Sequence, residues 1–237
     1  DVYKRQPQER REVLEDLFVF GKENQKPFLV RMTVLLVLST IIATAGLLSD
    51  SSAVVIGAML VAPMMNPVLS AAGAVVMGWP KRFYSSIWLV LAMGLGALVL
   101  SSLITWLSPE VIFLPEQVLA RTRPTFYDLL IALAAGSAGA NTITHKESGA
   151  IPGVAVAVAL LPPLASSGVL LVTGEFELAL RAVVLFFTNL VAMVLAGALT
   201  FMACGVSPAS ARAHSAEFIR KQLGLFAVMV IAICIPL

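Results

Sequence analysis

The sequence predicts an all-α, polytopic membrane helix bundle: an inverted repeat of three plus three spans with two proline-broken helices, plus a truncated seventh span. Three observations carry that prediction. The 237 residues are 59% hydrophobic and only 13% charged, with a mean hydropathy of +0.92, whereas a soluble domain is roughly a quarter charged. Uncharged runs repeatedly reach the roughly 18–20 residues an α-helix needs to cross the hydrocarbon core. Two of those runs carry prolines near their middle, Pro63 with Pro67 and Pro162 with Pro163. A proline inside a helix removes an N–H and clashes with the carbonyl four residues back. In a membrane this is tolerated where the freed carbonyl finds another partner or lines a cavity.

The elements follow in order. Residues 1–27 form a polar, cytoplasmic stub, in which Val13, Leu14, Leu17, Phe18 and Phe20 give a weakly amphipathic helix. It reads as a solvated lead-in or as part of a missing soluble region. Residues 28–107 are the first repeat. Span one, Phe28–Leu48, ends in Leu-Ser-Asp-Ser-Ser, where Asp50, Ser51 and Ser52 are natural N-caps for the next helix. Span two, Ala53–Met77, is the first broken helix. After the turn Gly78-Trp79-Pro80-Lys81-Arg82 comes span three, Tyr84–Leu107, with Gly94 and Gly96 as close-packing points.

Residues 108–128 are an external loop whose prolines and charges argue against a span. Residues 129–203 are the second repeat. Span four, Leu129–Thr144, is crowded with small residues from Ala134 to Ala140, which let backbones approach closely. Span five, Ala150–Thr173, is the second broken helix, and span six is Leu180–Ala203, with Thr188 and Asn189 inside it. Residues 204–237 are a cytoplasmic connection and the start of span seven. With Asp1 at the start and an apolar run cut at Leu237, the chain reads as a piece of a longer one.

The basic residues set the topology. Lys22, Lys26, Arg31, Lys81, Arg82, Lys146, Arg212, Arg220 and Lys221 fall on one side under the span order above. That side is the cytoplasm by the positive-inside rule. The other side holds Asp50, Glu110, Glu116, Glu175 and Glu177, with Arg121, Arg123 and Arg181. The expected location is therefore the inner (plasma) membrane, multi-pass, with the N-terminus cytoplasmic.

A shift of 96 residues (67 to 163) lays spans one to three on spans four to six. Pro67 then meets Pro163, Gly57 meets Gly153, Ser70 meets Ser166 and Gly78 meets Gly174, while Asn66 meets Pro162. Three spans is an odd number, so the second unit enters from the opposite side. Inverted repeats of this kind build many secondary transporters, with a site near midplane where discontinuous helices meet. The expected substrate-binding residues are Pro63, Asn66, Pro67, Ser70, Pro162, Pro163, Ser166 and Ser167. Pro63 frees the carbonyl of Met59, and Pro162 and Pro163 free those of Val158 and Ala159. The competing reading is a kink used for packing, with Asn66 and the serines in interhelical hydrogen bonds.

The densest polar cluster, Asn141, Thr142, Thr144, His145, Lys146 and Glu147, offers a cytoplasmic gate in Asn141 and His145, or else an ordinary loop. His145 has no second histidine at ligand spacing, so no metal site is expected. Cys204 and Cys234 lie in apolar runs and read as buried free thiols. No span has a carboxylate or lysine at its centre, which argues against a proton relay and favours a neutral solute or coordination by carbonyls and hydroxyls. The motifs of zinc proteases, serine hydrolases and phosphate loops are missing, so no enzyme activity and no cofactor are expected. A net charge of +2 gives no reason to expect nucleic acid.

The segment IATAGLLSDSSAVVIGAMLVAPMMNPVLSAAG resembles the bacterial family known as domain of unknown function 389, the uncharacterised hydrophobic domain. TRPTFYDLLIALAAGSAGA and GVAVAVALLPPLASSGVLL agree with it. The resemblance covers about Phe28 to Ala203. It implies an integral membrane protein of bacterial or archaeal type, often with a soluble region before the spans. The functional expectation is a transporter or channel for a small solute or ion, with a midplane site between helices 53–77 and 150–173. The alternative is a non-transporting membrane scaffold or sensor that anchors a soluble domain. Expected partners are the lipid bilayer, the solute and a second copy packed through small-residue helix faces.

Overall fold

The computed structural model describes residues 25–108, 113–145 and 151–206, with side chains from 27 onward and, in the last stretch, from 159. Residues 1–24 of the polar stub, Lys146 and Glu147, Cys234 and the seventh span lie outside the described residues. Every regular element described is helical: α1 Gln25–Leu48, α2 Ser52–Val61, α3 Met65–Met77, α4 Pro80–Leu107, the single turn α5 Glu116–Leu119 running into a 3-10 turn Ala120–Thr122, α6 Phe126–His145, α7 Ile151–Val172 and α8 Phe176–Ala203. Four of them, α1, α4, α6 and α8, are long and apolar enough to cross a bilayer, and the α2–α3 pair makes five.

The first expected break is real and sharp. Ala62 is extended (φ −64°, ψ 125°), the conformation a residue takes before proline because the ring excludes the α region. The two half-helices bend by 59°. Pro67 sits in the first turn of α3, where the missing N–H is one the helix would leave unpaired anyway. At 1.5 Å per residue the ten residues of α2 are about 15 Å long, roughly half of what a helix needs to cross the hydrocarbon core.

The second expected break is a correction. α7 runs as one helix from Ile151 to Val172, straight through Pro162 and Pro163. Its neighbours supply the reason, given below. Of the three expected caps Asp50, Ser51 and Ser52, it is Ser51 that caps α2, accepting from the Val54 N–H. Asp50 takes a left-handed φ of 53° and turns its carboxylate outward to the connecting loop.

α3, α7 and α8 form the centre. Every residue from Pro67 to Val76 is buried, as is every residue from Ala159 to Leu170. α4 packs on α7, α8 on α3, and α6 on α8. Close approaches use small residues. A methyl at Gly168 would stand 2.6 Å from the Leu98 carbonyl oxygen, and one at Gly136 would stand 2.7 Å from Met193 Cα. The small-residue face of α6 (Ala132, Ala135, Gly136, Gly139, Ala140) is thus buried within the chain. Gly94 likewise packs closely, against Leu164, whereas Gly96 is exposed.

The outer faces of α1 and α4 show Val30, Val34, Leu38, Leu95 and Val99 to the surroundings, as lipid contact requires. Trp106, Phe113, Phe126, Tyr127 and Phe176 stand exposed toward the face that carries Asp50 and Glu175, the placement of an interfacial aromatic belt. At the other face Arg82 lies over the Trp79 ring, 4.9 Å from its centroid.

Candidate functional site

The two adjacent prolines of α7 deny the helix two consecutive hydrogen bonds, to the carbonyls of Val158 and Ala159. An unpaired carbonyl in a membrane interior costs several kcal/mol. The Ala159 carbonyl has a replacement donor: Asn189 Nδ2 of α8 reaches it at 2.9 Å. Further along, α4 attaches two hydroxyls to the same helix. Ser101 Oγ donates to the Ala165 carbonyl at 2.7 Å, and Ser102 Oγ lies 3.1 Å from that of Gly168. α7 stays helical across its prolines, with Asn189 answering the carbonyl freed by Pro163 and with α4 and α8 both hydrogen-bonded to its backbone.

Asn189 is 2% exposed, and with Nδ2 committed to Ala159 its Oδ1 has no partner among the described residues. It borders a cavity of about 20 Å³ lined by Arg121, Asp128, Ile131, Ala159, Pro163, Leu185 and Asn189. Asn189 and Pro163 lie near the midpoints of α8 and α7, so the cavity reaches toward the middle of these helices.

Its roof is the connecting loop, which folds inward rather than lying on the surface. Val118 and Thr122 are buried, and the 3-10 turn packs on α7 and α8. Arg121 Nε is buried without a hydrogen-bond partner among the described residues. Burial pushes the Arg121 guanidinium below its ordinary range, and the nearby Asp128 carboxylate opposes the shift. An arginine so placed is still charged at neutral pH.

Local sequence positions the roof. Thr125-Phe126-Tyr127-Asp128 is a capping box that starts α6: Asp128 Oδ2 accepts from the Thr125 N–H at 2.8 Å and from Thr125 Oγ1 at 2.6 Å. Across the molecule, Asp50 Oδ1 accepts from the Gln117 N–H at 2.8 Å, capping the start of α5. The turn between α1 and α2 therefore fastens the loop.

The expected site residues divide. Pro162, Pro163, Ser166 and Ser167 are buried on α7, and of these Pro163 borders the cavity. The Ser166 and Ser167 hydroxyls have no partner among the described residues. Pro67 and Ser70 are buried on α3, Pro63 is half-buried, and Asn66, expected to face the shared centre, is exposed. None of Pro63, Asn66, Pro67 and Ser70 borders this cavity, which lies beside the unbroken proline pair of α7. Asn141 and His145 are exposed at the end of α6, with His145 Nδ1 2.9 Å from the Asn141 carbonyl oxygen one turn back. Thr142 and Thr144 turn their hydroxyls to carbonyls of their own helix. Sequence reasoning missed Arg121, Asp128, Asn189, Ser101 and Ser102. An asparagine in the middle of span six, and a serine pair in the apolar span three, were the signals available.

The same proline-marked segments carry the family relationship. The family model described as domain of unknown function (DUF389) matches residues 59–195, which includes both proline segments, the loop and the capping box. The chain belongs to this family. An uncharacterized protein of Methanocaldococcus jannaschii is 32% identical over 196 residues, covering 83% of this chain and 58% of the relative. The chain thus spans a little over half the length of that family relative. No solved structure matches.

Proposed function

We propose that this DUF389 chain is the membrane-embedded part of a transporter or channel for a small solute or ion. The observation that carries the reading is the cavity at Pro163. There a proline-freed carbonyl, a buried carboxamide and a half-buried arginine with a covered Nε line one cavity inside the helix bundle. Discontinuous or proline-disturbed helices are where secondary transporters and channels hold their cargo.

An inverted repeat supports the reading. The shift of 96 residues (80 to 176, 107 to 203) carries α4 onto α8 at both ends. It carries the left-handed glycine turn at Gly78, with its Trp79 N–H to Ala74 carbonyl bond, onto the turn at Gly174, with its Glu175 N–H to Leu170 carbonyl bond. It also carries the contact of Gly168 with Ser101 onto that of Ala72 with Gly197. The last agreement concerns packing between units, where chance similarity of apolar sequence has no bearing. On the positive-inside reading, Lys81 and Arg82 face the cytoplasm and the cavity roof faces the other side.

The full chain reconstituted in liposomes is expected to raise the flux of a small solute or ion above that of empty vesicles. A broad panel that gives no flux would sink the proposal. A second reading, a membrane scaffold or sensor, draws on the α3–α8 crossing, where a methyl at Gly197 would stand 3.1 Å from Ala72 Cβ. It expects no flux, and signalling carried by sequence beyond this chain.

A further inference from the structure

Resting on the transport reading, we infer that the cavity under the Ala120–Thr122 turn is a selectivity site for a small neutral solute that both donates and accepts hydrogen bonds. Three atoms set this choice. Arg121 Nε can only donate, and it brings a positive charge. Asn189 Oδ1 can only accept. Its orientation is fixed by chemistry, because the Ala159 carbonyl accepts and therefore must face Nδ2. The Asp128 carboxylate, with Oδ2 bound to Thr125, adds a negative charge on the same lining.

A bare cation here meets the guanidinium. A bare anion meets the lone pairs of Asn189 Oδ1 and the Asp128 carboxylate. A hydroxyl, a water or an amide serves both sides, accepting from Arg121 and donating to Asn189. The cavity volume of about 20 Å³ suits one water-sized group, since such a group needs roughly 10–15 Å³ by the same measure. A longer molecule would pass end-on. Fixed arginines that repel cations while hydrogen-bonding a neutral solute are an established way to build pore selectivity. The roof holds Arg121 in place through the Asp50–Gln117 bond on one side and the Asp128 capping box on the other.

The test is the full chain in proteoliposomes, read by stopped-flow light scattering for water, urea and glycerol, and by ion-selective dyes for potassium and chloride. Wild-type vesicles are expected to pass at least one neutral probe and to hold back both ions. Arg121→Ala should admit potassium, whereas Arg121→Lys should keep it out. Asn189→Leu should slow the neutral probe roughly tenfold, the loss of about one buried hydrogen bond. Ile131→Trp, which narrows the cavity without touching the Asn189–Ala159 bond, should slow it as well and guards against a simple folding failure of Asn189→Leu. Ion flux in wild type without passage of neutral probes overturns the inference and leaves the transport reading standing. Passage of neutral probes unchanged by all of these variants overturns it too. No flux of any probe removes both.

Discussion

The two proline segments of this DUF389 chain meet the same difficulty and resolve it differently. At Pro63 the helix opens: Ala62 goes extended and the axis turns by 59°. At Pro162-Pro163 the helix continues, although it has lost two consecutive N–H groups. The neighbours differ. At the second segment a carboxamide is within reach: Asn189 Nδ2 donates to the Ala159 carbonyl that Pro163 frees. At the first, Pro63 frees the carbonyl of Met59 and the chain goes extended at Ala62 instead. Whether a proline breaks a membrane helix is thus decided by the side chain on the neighbouring helix as much as by the proline.

The largest effect should come from Gly168→Ala. The added methyl would sit 2.6 Å from the Leu98 carbonyl oxygen, in a backbone contact that cannot yield, and a loss of about 3 kcal/mol is expected from overpacking. Thermal unfolding in detergent measures it. At the α3–α8 crossing, Ala72→Gly should change stability by less than about 1 kcal/mol, so similar losses would break the comparison.

Asn189→Leu should come next, at about 2 kcal/mol, because it leaves the buried Ala159 carbonyl unpaired. Pro163→Ala supplies the decisive partner. It restores a backbone N–H four residues beyond Ala159, so the double variant should be more stable than Asn189→Leu alone. A strictly additive pair would show that Asn189 does not stand in for that backbone bond.

Pro63→Ala should straighten the α2–α3 segment with a stability change of about 1 kcal/mol, the scale of one regained hydrogen bond. Spin labels at Val54 and Met77 should then move apart; an unchanged distance would mean that packing, not proline, sets the bend. The smallest effect is expected for Asp50→Ala, about 0.5–1 kcal/mol for a lost cap, with proteolysis of the 113–125 loop as the sensitive readout.

Much of this fold could be read from the chain because membranes enforce long apolar runs. The helix ends at Leu48, Met77 and Leu107 follow from where apolar sequence meets Ser-Asp-Ser, Gly-Trp-Pro and Ser-Pro. The small residues around Gly136 pack as their size predicts, although against α8 of the same chain. The candidate site was half legible. Proline reports which carbonyl is freed, and Ala159 was named that way, but it cannot report which side chain answers. Asn189 is 30 residues away from Ala159 and looks like any polar residue in a span. Arg121 was harder to see. In sequence it is one more charge in a loop, and only the inward fold of that loop covers its Nε. Asn66 failed in the other direction: a polar residue beside two prolines drew attention, yet it points away from the polar space.

The bond from Gln117 N–H to Asp50 has a consequence in time. It joins residues 67 apart in sequence. A four-residue helix such as Glu116–Leu119 does not nucleate unaided, so the turn has to wait for an acceptor from elsewhere. That acceptor exists once α1 and α2 have folded back on each other. The expected order is therefore hairpin first and roof second, and pulsed proteolysis of residues 113–125 during folding, set against formation of the α1–α2 hairpin, checks it.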